Sequence, residues 1–184
     1  MPDYRRIYIP GGTYFFTVVT YKRLSFLTEP AVRETLRASW EMVQNELPFF
    51  LIALCLLPNH LHCMWKLPEN DADYSTRWRK IKNNFSQTVD RSILPLVGST
   101  KLRKSKREVP IWQRRFWEHT IRDQEDYNRH FDYIHFNPVK HGYVQNVIDW
   151  PWSTFHRYLS KGIYDPDWGN ISLNERLDLN TIGE

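Results

Sequence analysis

The sequence predicts an α+β fold, a small sandwich in which a mostly antiparallel sheet carries helices on one face. A chain of 184 residues is long enough for one domain with a single core. Segments rich in aromatic and β-branched residues alternate with segments whose apolar residues recur at helical spacing. Their order along the chain is βαββαβα, and such alternation favours one sheet packed against helices.

The first part of the chain supplies three strands and one helix. Residues 14–20 form a predicted strand that follows a Pro-Gly-Gly turn. A helix begins at Pro30, because proline is favoured in the first turn, and ends at Pro48. Residues 49–57 and 60–66 are predicted as two further strands, separated by a Pro-Asn turn.

The second part supplies two helices and one short strand. Residues 75–93 form a predicted basic helix whose apolar side chains lie on one face. A short strand is expected at 116–122. Asp123 can cap a helix that runs to about Asn137, where a proline and a later glycine favour its end.

We expect one domain from residue 1 to 149, followed by a tail from 150 to 184 that contains a short helix at 153–161. The domain includes a basic insertion at about 95–110 with no clear period, which we interpret as an exposed loop. This loop either grips a nucleic-acid stem or is a variable connection.

Clustered cations indicate a partner that carries phosphates. The formal net charge is +4 and the isoelectric point is about 9.1. Lysine and arginine concentrate in short runs, which indicates contact with a phosphate backbone; any single run can equally be a solvated surface. The predicted DNA-binding cations are Arg5, Arg6, Arg77, Arg79, Lys80, Lys82, Lys101, Arg103, Lys104, Lys106, Arg107, Arg114 and Arg115.

Cysteine usage and hydropathy exclude several other classes. Cys55 and Cys63 are the only cysteines and lie in or beside apolar runs, which is typical of reduced core thiols. Without a Cys-x-x-Cys pair, a structural zinc site is poorly supported. No apolar run reaches transmembrane length, and the first residues do not resemble a signal peptide. We therefore expect a cytoplasmic protein without a membrane partner.

His60 and His62 form the most informative pair. Residues i and i+2 of a strand point to the same face, so both imidazoles project together while Leu61 packs into the core behind them. Two neutral imidazoles on one face are part of a small metal site.

The predicted helix after Asp123 offers a third ligand and a reacting group. Tyr133 and Asn137 are four residues apart and share one helical face. The Asn137 carbonyl oxygen and two imidazoles suit Mg²⁺ or Mn²⁺. A phenol beside that ion can attack a phosphodiester, which produces a 5′-phosphotyrosine and a free 3′-hydroxyl without ATP.

These residues stand in motifs that resemble one enzyme family. Pro58-Asn59-His60-Leu61-His62 is similar to the HUH motif of single-tyrosine transposases. Further motifs, spread over about residues 3–168, resemble those of the REP-associated (repetitive-extragenic-palindrome) branch of these transposases. These motifs are Tyr4-Arg5-Arg6, Gly11-Gly12-Thr13, Trp112-Gln113-Arg114-Arg115-Phe116-Trp117-Glu118-His119, Asp132-Tyr133-Ile134-His135-Phe136-Asn137-Pro138-Val139-Lys140-His141-Gly142 and Trp150-Pro151-Trp152-Ser153-Thr154.

The resemblance implies a ferredoxin-like βαββαβ core and metal-dependent cleavage and rejoining of single-stranded DNA. It implies His60 and His62 as metal ligands and Tyr133 as the nucleophile. Asn137 falls where related transposases carry a glutamine ligand, so its carbonyl is retained on a shorter side chain. Members of the family recognise an imperfect palindromic hairpin with a short tetranucleotide at its foot.

Several alternatives remain open at this point. Trp150 and Trp152 either stack on unpaired bases or dock the tail on the core. The REP-associated branch implies a monomer, whereas similarity to insertion-sequence enzymes implies a homodimer. Other functions are a non-catalytic hairpin DNA-binding protein and an HUH replication initiator or relaxase.

Overall fold

The computed structural model describes residues 6–95 and 110–170 and has four strands in one sheet. The strands are β1 (Thr13–Val19), β2 (Phe50–Leu56), β3 (His60–Lys66) and β4 (Trp117–Thr120). They are arranged in the order β2-β3-β1-β4, and each neighbouring pair is antiparallel. The central strands are therefore β3 and β1.

Four α-helices accompany the sheet in the described part of the chain. They are α1 (Pro30–Glu46), α2 (Tyr74–Thr88), α3 (Gln124–Lys140) and α4 (Phe155–Leu159). The order β1-α1-β2-β3-α2-β4 with this strand arrangement is the ferredoxin-like sandwich, so the predicted α+β fold class is confirmed.

One face of the sheet is covered by α1 and α2, as the sequence predicts. Strand residues alternate between faces, and the even residues of β1 point with Leu61, Cys63 and Trp65 of β3 into this first core. Apolar residues of α1 and α2, including Trp40 and Trp78, close it. Leu61 therefore packs behind the histidine pair.

The opposite face is covered by α3 and by the segment after it. Phe15, Ala53 and Met64 of the sheet pack there against Ile134 and Phe136 of α3. The sequence predicts helices on one face only. Because the two central strands are apolar on both sides, both faces need a covering layer, and α3 provides the second.

Helix α3 runs one turn further than predicted, through Pro138 to Lys140. A proline costs one backbone hydrogen bond, but helical bonding continues after it, because the His141 amide donates to the Asn137 carbonyl at 3.0 Å. The extension brings Lys140 onto the same face as Tyr133, seven residues earlier.

The segment after residue 150 is part of the second core. Trp150 is 6% exposed and its indole nitrogen donates to the Leu56 carbonyl at 3.0 Å. The Thr154 amide donates to the Leu54 carbonyl at 2.8 Å, so this segment attaches to the edge strand β2. Phe155 and Tyr164 are also buried in this core. No helix within the described ranges is both long and apolar enough to cross a membrane.

His135 connects α3 to this segment through hydrogen bonds, and its burial predicts that the protein loses stability in acid. Its Nδ1 lies 3.0 Å from the Tyr164 hydroxyl and its Nε2 lies 2.8 Å from that of Thr154. Burial lowers the pKa of His135 from 6.5 to about 3.

As the pH falls, the imidazole of the unfolded chain takes up a proton before that of the folded chain. The free energy of unfolding is therefore retained above about pH 6.5 and falls below it, by at most about 1.4 kcal/mol per pH unit. Urea unfolding between pH 7.5 and 4.5 should show a shallower loss for His135→Gln than for wild type. Equal slopes would contradict this assignment.

Candidate active site

The two histidines of β3 lie side by side on the face covered by α3. Their ring centres are 4.9 Å apart, and His60 and His62 are 1% and 0% exposed. His60 Nδ1 donates to the Asn59 side-chain oxygen at 2.5 Å, and His62 Nδ1 shares a hydrogen bond with the Thr17 hydroxyl at 2.9 Å. Engagement of Nδ1 orients both rings and makes Nε2 the nitrogen suited to coordination.

Helix α3 places the Tyr133 side chain against this pair. The ring centres of Tyr133 and His62 are 5.2 Å apart with the planes at 73°, and Tyr133 is 1% exposed. Lys140 Nζ donates to the Tyr133 hydroxyl at 3.2 Å and lies 4.6 Å from the ring centre. The phenol oxygen is thus held beside a positive charge.

Asn137 carries the clearest sign of an unmet ligand. It is 0% exposed, and neither its amide oxygen nor its amide nitrogen has a hydrogen-bond partner among the described residues. Burying an unpaired amide costs about 1–3 kcal/mol, so such groups usually have a partner. Asn137 lies one turn after Tyr133 on the same helical face, and its oxygen with two imidazoles fits an ion such as Mg²⁺.

The electrostatics of the site keep His62 neutral. Burial, and then the charges of His60, His141, Lys140 and Arg23, lower the pKa of His62 well below 6.5. A metal-ligating imidazole must be unprotonated, so the surroundings favour the form that coordinates.

The sequence did not predict three residues of this neighbourhood. The His141 ring lies 5.1 Å from that of His60, and Lys140 contacts the phenol. Their helical spacing from Tyr133 was a usable signal, but the predicted helix ended at Asn137. Arg23 follows β1 with φ of 54°, a left-handed conformation that is strained for arginine. No local sequence pattern predicts that Arg23 lies near His62.

The prediction that Arg77 contacts DNA is wrong. Arg77 is 1% exposed, donates to three backbone carbonyls and pairs with Asp71 at 2.7 Å. This arginine joins α2 to the end of α1 and cannot reach a phosphate. A buried cation on an amphipathic helix is recognisable only when its partners are known.

The other cations of α2 lie on the layer that faces away from His60 and His62. Arg79 is exposed, Lys80 pairs with Glu46, and Lys82 donates to the Gln113 carbonyl. Their predicted contact with DNA therefore concerns a surface remote from the histidine pair.

The remaining predicted cations are distributed around the sheet edge. Arg6 pairs with Glu118 at 3.5 Å and lies over the Phe116 ring, while Arg114 and Arg115 are exposed just before β4. Arg5 and the cations of the basic insertion, Lys101, Arg103, Lys104, Lys106 and Arg107, lie outside the described residues.

Trp150 is a second correction. Its burial and its bond to the Leu56 carbonyl leave no face for an unpaired base, so it docks the chain on the core. Trp152 is half-buried against Trp150, with the guanidinium of Arg33 5.2 Å above its ring. Packing thus occupies both indoles.

A second group of polar residues lies beside the histidine pair. His119 of β4 and Asp126 and His130 of α3 each bring a ligand atom within 4.8 Å of the others, a spacing that can hold a metal ion. Asp126 is buried and accepts from His119 at 2.7 Å. Phe15 separates this group from His62 and Tyr133.

Comparison with known proteins identifies close relatives. The model of the family described as "Transposase IS200 like" matches residues 10–137. The REP-associated tyrosine transposase of Escherichia coli (strain K12) is 44% identical over 181 residues, 96% of this chain and 99% of that protein. A Haemophilus influenzae protein assigned to the same class is 45% identical over 170 residues, 92% and 94% of the two chains.

One solved structure is similar over the same span. It is that of a REP-associated tyrosine transposase bound to a REP hairpin, with 45% sequence identity and a TM-score of 0.75. The match covers 91% of each chain. The βαββαβ arrangement and the helix that covers its second face therefore have a counterpart of known structure.

Proposed function

This chain belongs to the IS200-like transposase family, among the REP-associated tyrosine transposases, and from that membership we propose that it cleaves and rejoins single-stranded DNA at hairpins through a covalent phosphotyrosine. Transposases of this class are enzymes of DNA cleavage and strand transfer. The observation that carries the proposal is the Tyr133 ring packed against His62, which adjoins His60. One turn away lies the Asn137 amide, which has no hydrogen-bond partner among the described residues.

The donors around this point fit a divalent ion. We assign His60, His62 and Asn137 as its protein ligands, because two oriented neutral imidazoles and an amide oxygen suit Mg²⁺ or Mn²⁺. When bound, such an ion polarises the phosphodiester and offsets the negative charge that develops during attack. His141, next to His60, is a further donor within reach of this neighbourhood.

Tyr133 is the nucleophile in this proposal. A bond forms between its phenolic oxygen and the phosphorus, and the bond from phosphorus to the 3′ oxygen breaks. The electron pair stays on that oxygen, which takes up a proton and leaves as a 3′-hydroxyl. When a 3′-hydroxyl later attacks the phosphotyrosine, the phenol is released and the strand is rejoined with no net loss of phosphodiester bonds.

A phenol is a weak nucleophile at neutral pH, and Lys140 favours its reactive phenolate form. A free phenol has a pKa near ~10, so little phenolate is present at neutral pH. The Lys140 ammonium donates to the phenol oxygen at 3.2 Å and therefore stabilises negative charge on it. The same ammonium lies over the ring, which limits the orientations of the side chain.

The proposed substrate is DNA with a hairpin and an unpaired segment. The similar structure contains a REP hairpin, and the clustered cations of this chain suit a phosphate backbone. We further propose that the basic insertion at about 95–110 contacts the stem and that the protein acts as a monomer, in the cytoplasm.

A single incubation tests the proposal. Single-stranded hairpin oligonucleotides from the genomic neighbourhood of the gene, labelled at the 3′ end, are mixed with the protein and either Mg²⁺ or Mn²⁺. We expect a protein–DNA adduct that survives denaturing electrophoresis and disappears when the protein is digested. Cleavage that yields only free DNA ends, with no adduct at any time, would contradict a covalent mechanism.

A further inference from the structure

Four residues that the proposed mechanism does not use form a partly open surface beside the site. Trp117 and His119 belong to β4, and Arg122 and Arg129 flank the start of α3; we call these four residues the β4 surface. Both β4 residues point to the same side of the sheet as Phe15, Thr17 and His62.

This side of β4 is less covered than the rest of the sheet. Helix α3 lies mainly over β2 and β3, so the face of the edge strand β4 stays partly accessible. Trp117 is half-buried, and the His119 side chain is 25% exposed. The two arginines are 68% and 54% exposed, whereas Phe15, on the same side of the sheet as His119, is 1% exposed.

The rings of this surface are aligned. The Trp117 and His119 planes are within 8° of parallel, and His119 stacks on His130 at 4.4 Å with 13° between planes. Trp117 in turn packs edge-on against Phe15, which also contacts Tyr133. A pre-aligned, partly exposed indole and imidazole are a platform on which a nucleobase can stack.

Two exposed arginines give this surface groups that can bind a phosphate. Asp126 is a buried carboxylate beside this surface; it accepts from His119 at 2.7 Å and from the Arg122 amide at 3.1 Å, and lies 3.7 Å from Arg129. The Arg122 and Arg129 guanidinium groups are mostly exposed, and the start of α3 also carries the exposed carboxylates Asp123 and Glu125. Because an exposed guanidinium forms bidentate hydrogen bonds with phosphate, the two arginines are the groups of this surface that suit a phosphate.

The distance to the reacting phenol fits one continuous DNA strand. Trp117 pairs with Thr17, and Thr17 pairs with His62, so Trp117 and His62 lie two strand spacings apart, about 10 Å. Stacked nucleotides advance about 3.4 Å each, so this gap corresponds to three nucleotides at most.

We infer that the β4 surface binds an unpaired nucleotide of the DNA strand within about three positions of the phosphate attacked by Tyr133. Its base stacks on Trp117 and His119, and its phosphate contacts Arg122 and Arg129. This inference rests on the proposed function, because it concerns the strand that the proposed reaction cuts.

Binding measurements on a non-cleaving Tyr133→Phe background test it. Two fluorescent hairpins share one stem, and only one of them carries an unpaired extension. Trp117→Ala is expected to weaken binding of the extended hairpin roughly tenfold and of the blunt hairpin less than about twofold, since one base–aromatic stack is worth about 1–3 kcal/mol. Trp117→Phe keeps a ring and should retain most of the affinity.

A second pair of variants keeps the test independent of indole packing. Arg122→Gln with Arg129→Gln should weaken binding of the extended hairpin and reduce the slope of log affinity against log salt by about one unit. Arg37→Gln is the matched control, because Arg37 is 81% exposed on α1, across the sheet. Melting temperatures confirm that each variant is folded.

The outcomes separate this inference from the proposed function. Equal losses on both hairpins, or unchanged binding by both the Trp117 and the arginine variants, would overturn the β4 surface as a strand subsite. If wild-type protein still forms the tyrosine adduct, the proposed function survives that result. If wild-type protein forms no adduct while the extension-specific losses appear, the surface binds DNA but the proposed chemistry fails.

Discussion

Tyr133→Phe should abolish the covalent adduct with hairpin DNA and leave hairpin binding within about threefold of wild type. The substitution removes one oxygen and keeps the ring that packs against His62 and Phe15, so the second core is retained. No other hydroxyl on α3 is held beside a lysine ammonium in the described part of the chain. The measurement is adduct yield on denaturing gels, with affinity followed by fluorescence anisotropy.

Tyr127→Phe is the matched control, because Tyr127 lies on the same helix but packs against Phe131, away from the histidines. It should form adduct at the wild-type level. An adduct in the Tyr133→Phe variant, mapped by digestion to another residue, would show that the nucleophile has been assigned wrongly. A variant that loses DNA binding altogether would instead indicate that the phenol contributes to affinity.

Removal of either histidine should stop cleavage. His60→Ala and His62→Ala each delete one of the assigned ligands, and we expect a loss of about a thousandfold in rate, equivalent to about 4 kcal/mol in the barrier. Chelation of divalent ions should have the same effect on wild type, and added Mn²⁺ or Mg²⁺ should restore only the wild-type activity. The rate of 3′-end release under single-turnover conditions measures this.

The control for a general effect of losing a histidine is His156→Gln. His156 lies on α4 and bonds the Trp150 carbonyl at 2.9 Å, and glutamine can keep that bond. This variant should cleave normally. Metal-independent cleavage by wild type, or cleavage by the double variant His60→Ala, His62→Ala, would refute the metal role.

Much of the fold was predictable because its signals are local. The alternation of apolar residues along a strand and their helical recurrence reflect contacts within a few residues, so β3 and α1 were predicted within two residues of their observed bounds. The same local geometry predicted that His60 and His62 share a face. It also placed Tyr133 and Asn137 one turn apart.

The predictions were wrong where the environment of a residue depends on a partner that is distant in the sequence. Arg77 looks like a surface cation on a basic helix, and only the carbonyls at the end of α1 make it a buried one. From the sequence, Trp150 could stack on DNA. In the structure its indole nitrogen instead donates a hydrogen bond to the carbonyl of Leu56, 94 residues earlier in the chain. Pro138 is a helix terminator by propensity, yet packing of α3 on the sheet outweighs one lost hydrogen bond.

By itself the sequence determined the secondary-structure order, the fold class and the pairs His60–His62 and Tyr133–Asn137, because each depends on backbone periodicity over at most one helical turn. Tertiary structure alone decided that α3 crosses the second face of the sheet, so that these two pairs meet and Lys140 reaches the phenol. It also decided that β4 presents Trp117 and His119 beside them. These outcomes depend on which apolar faces bury each other, a balance of burial over the whole core that no short segment encodes.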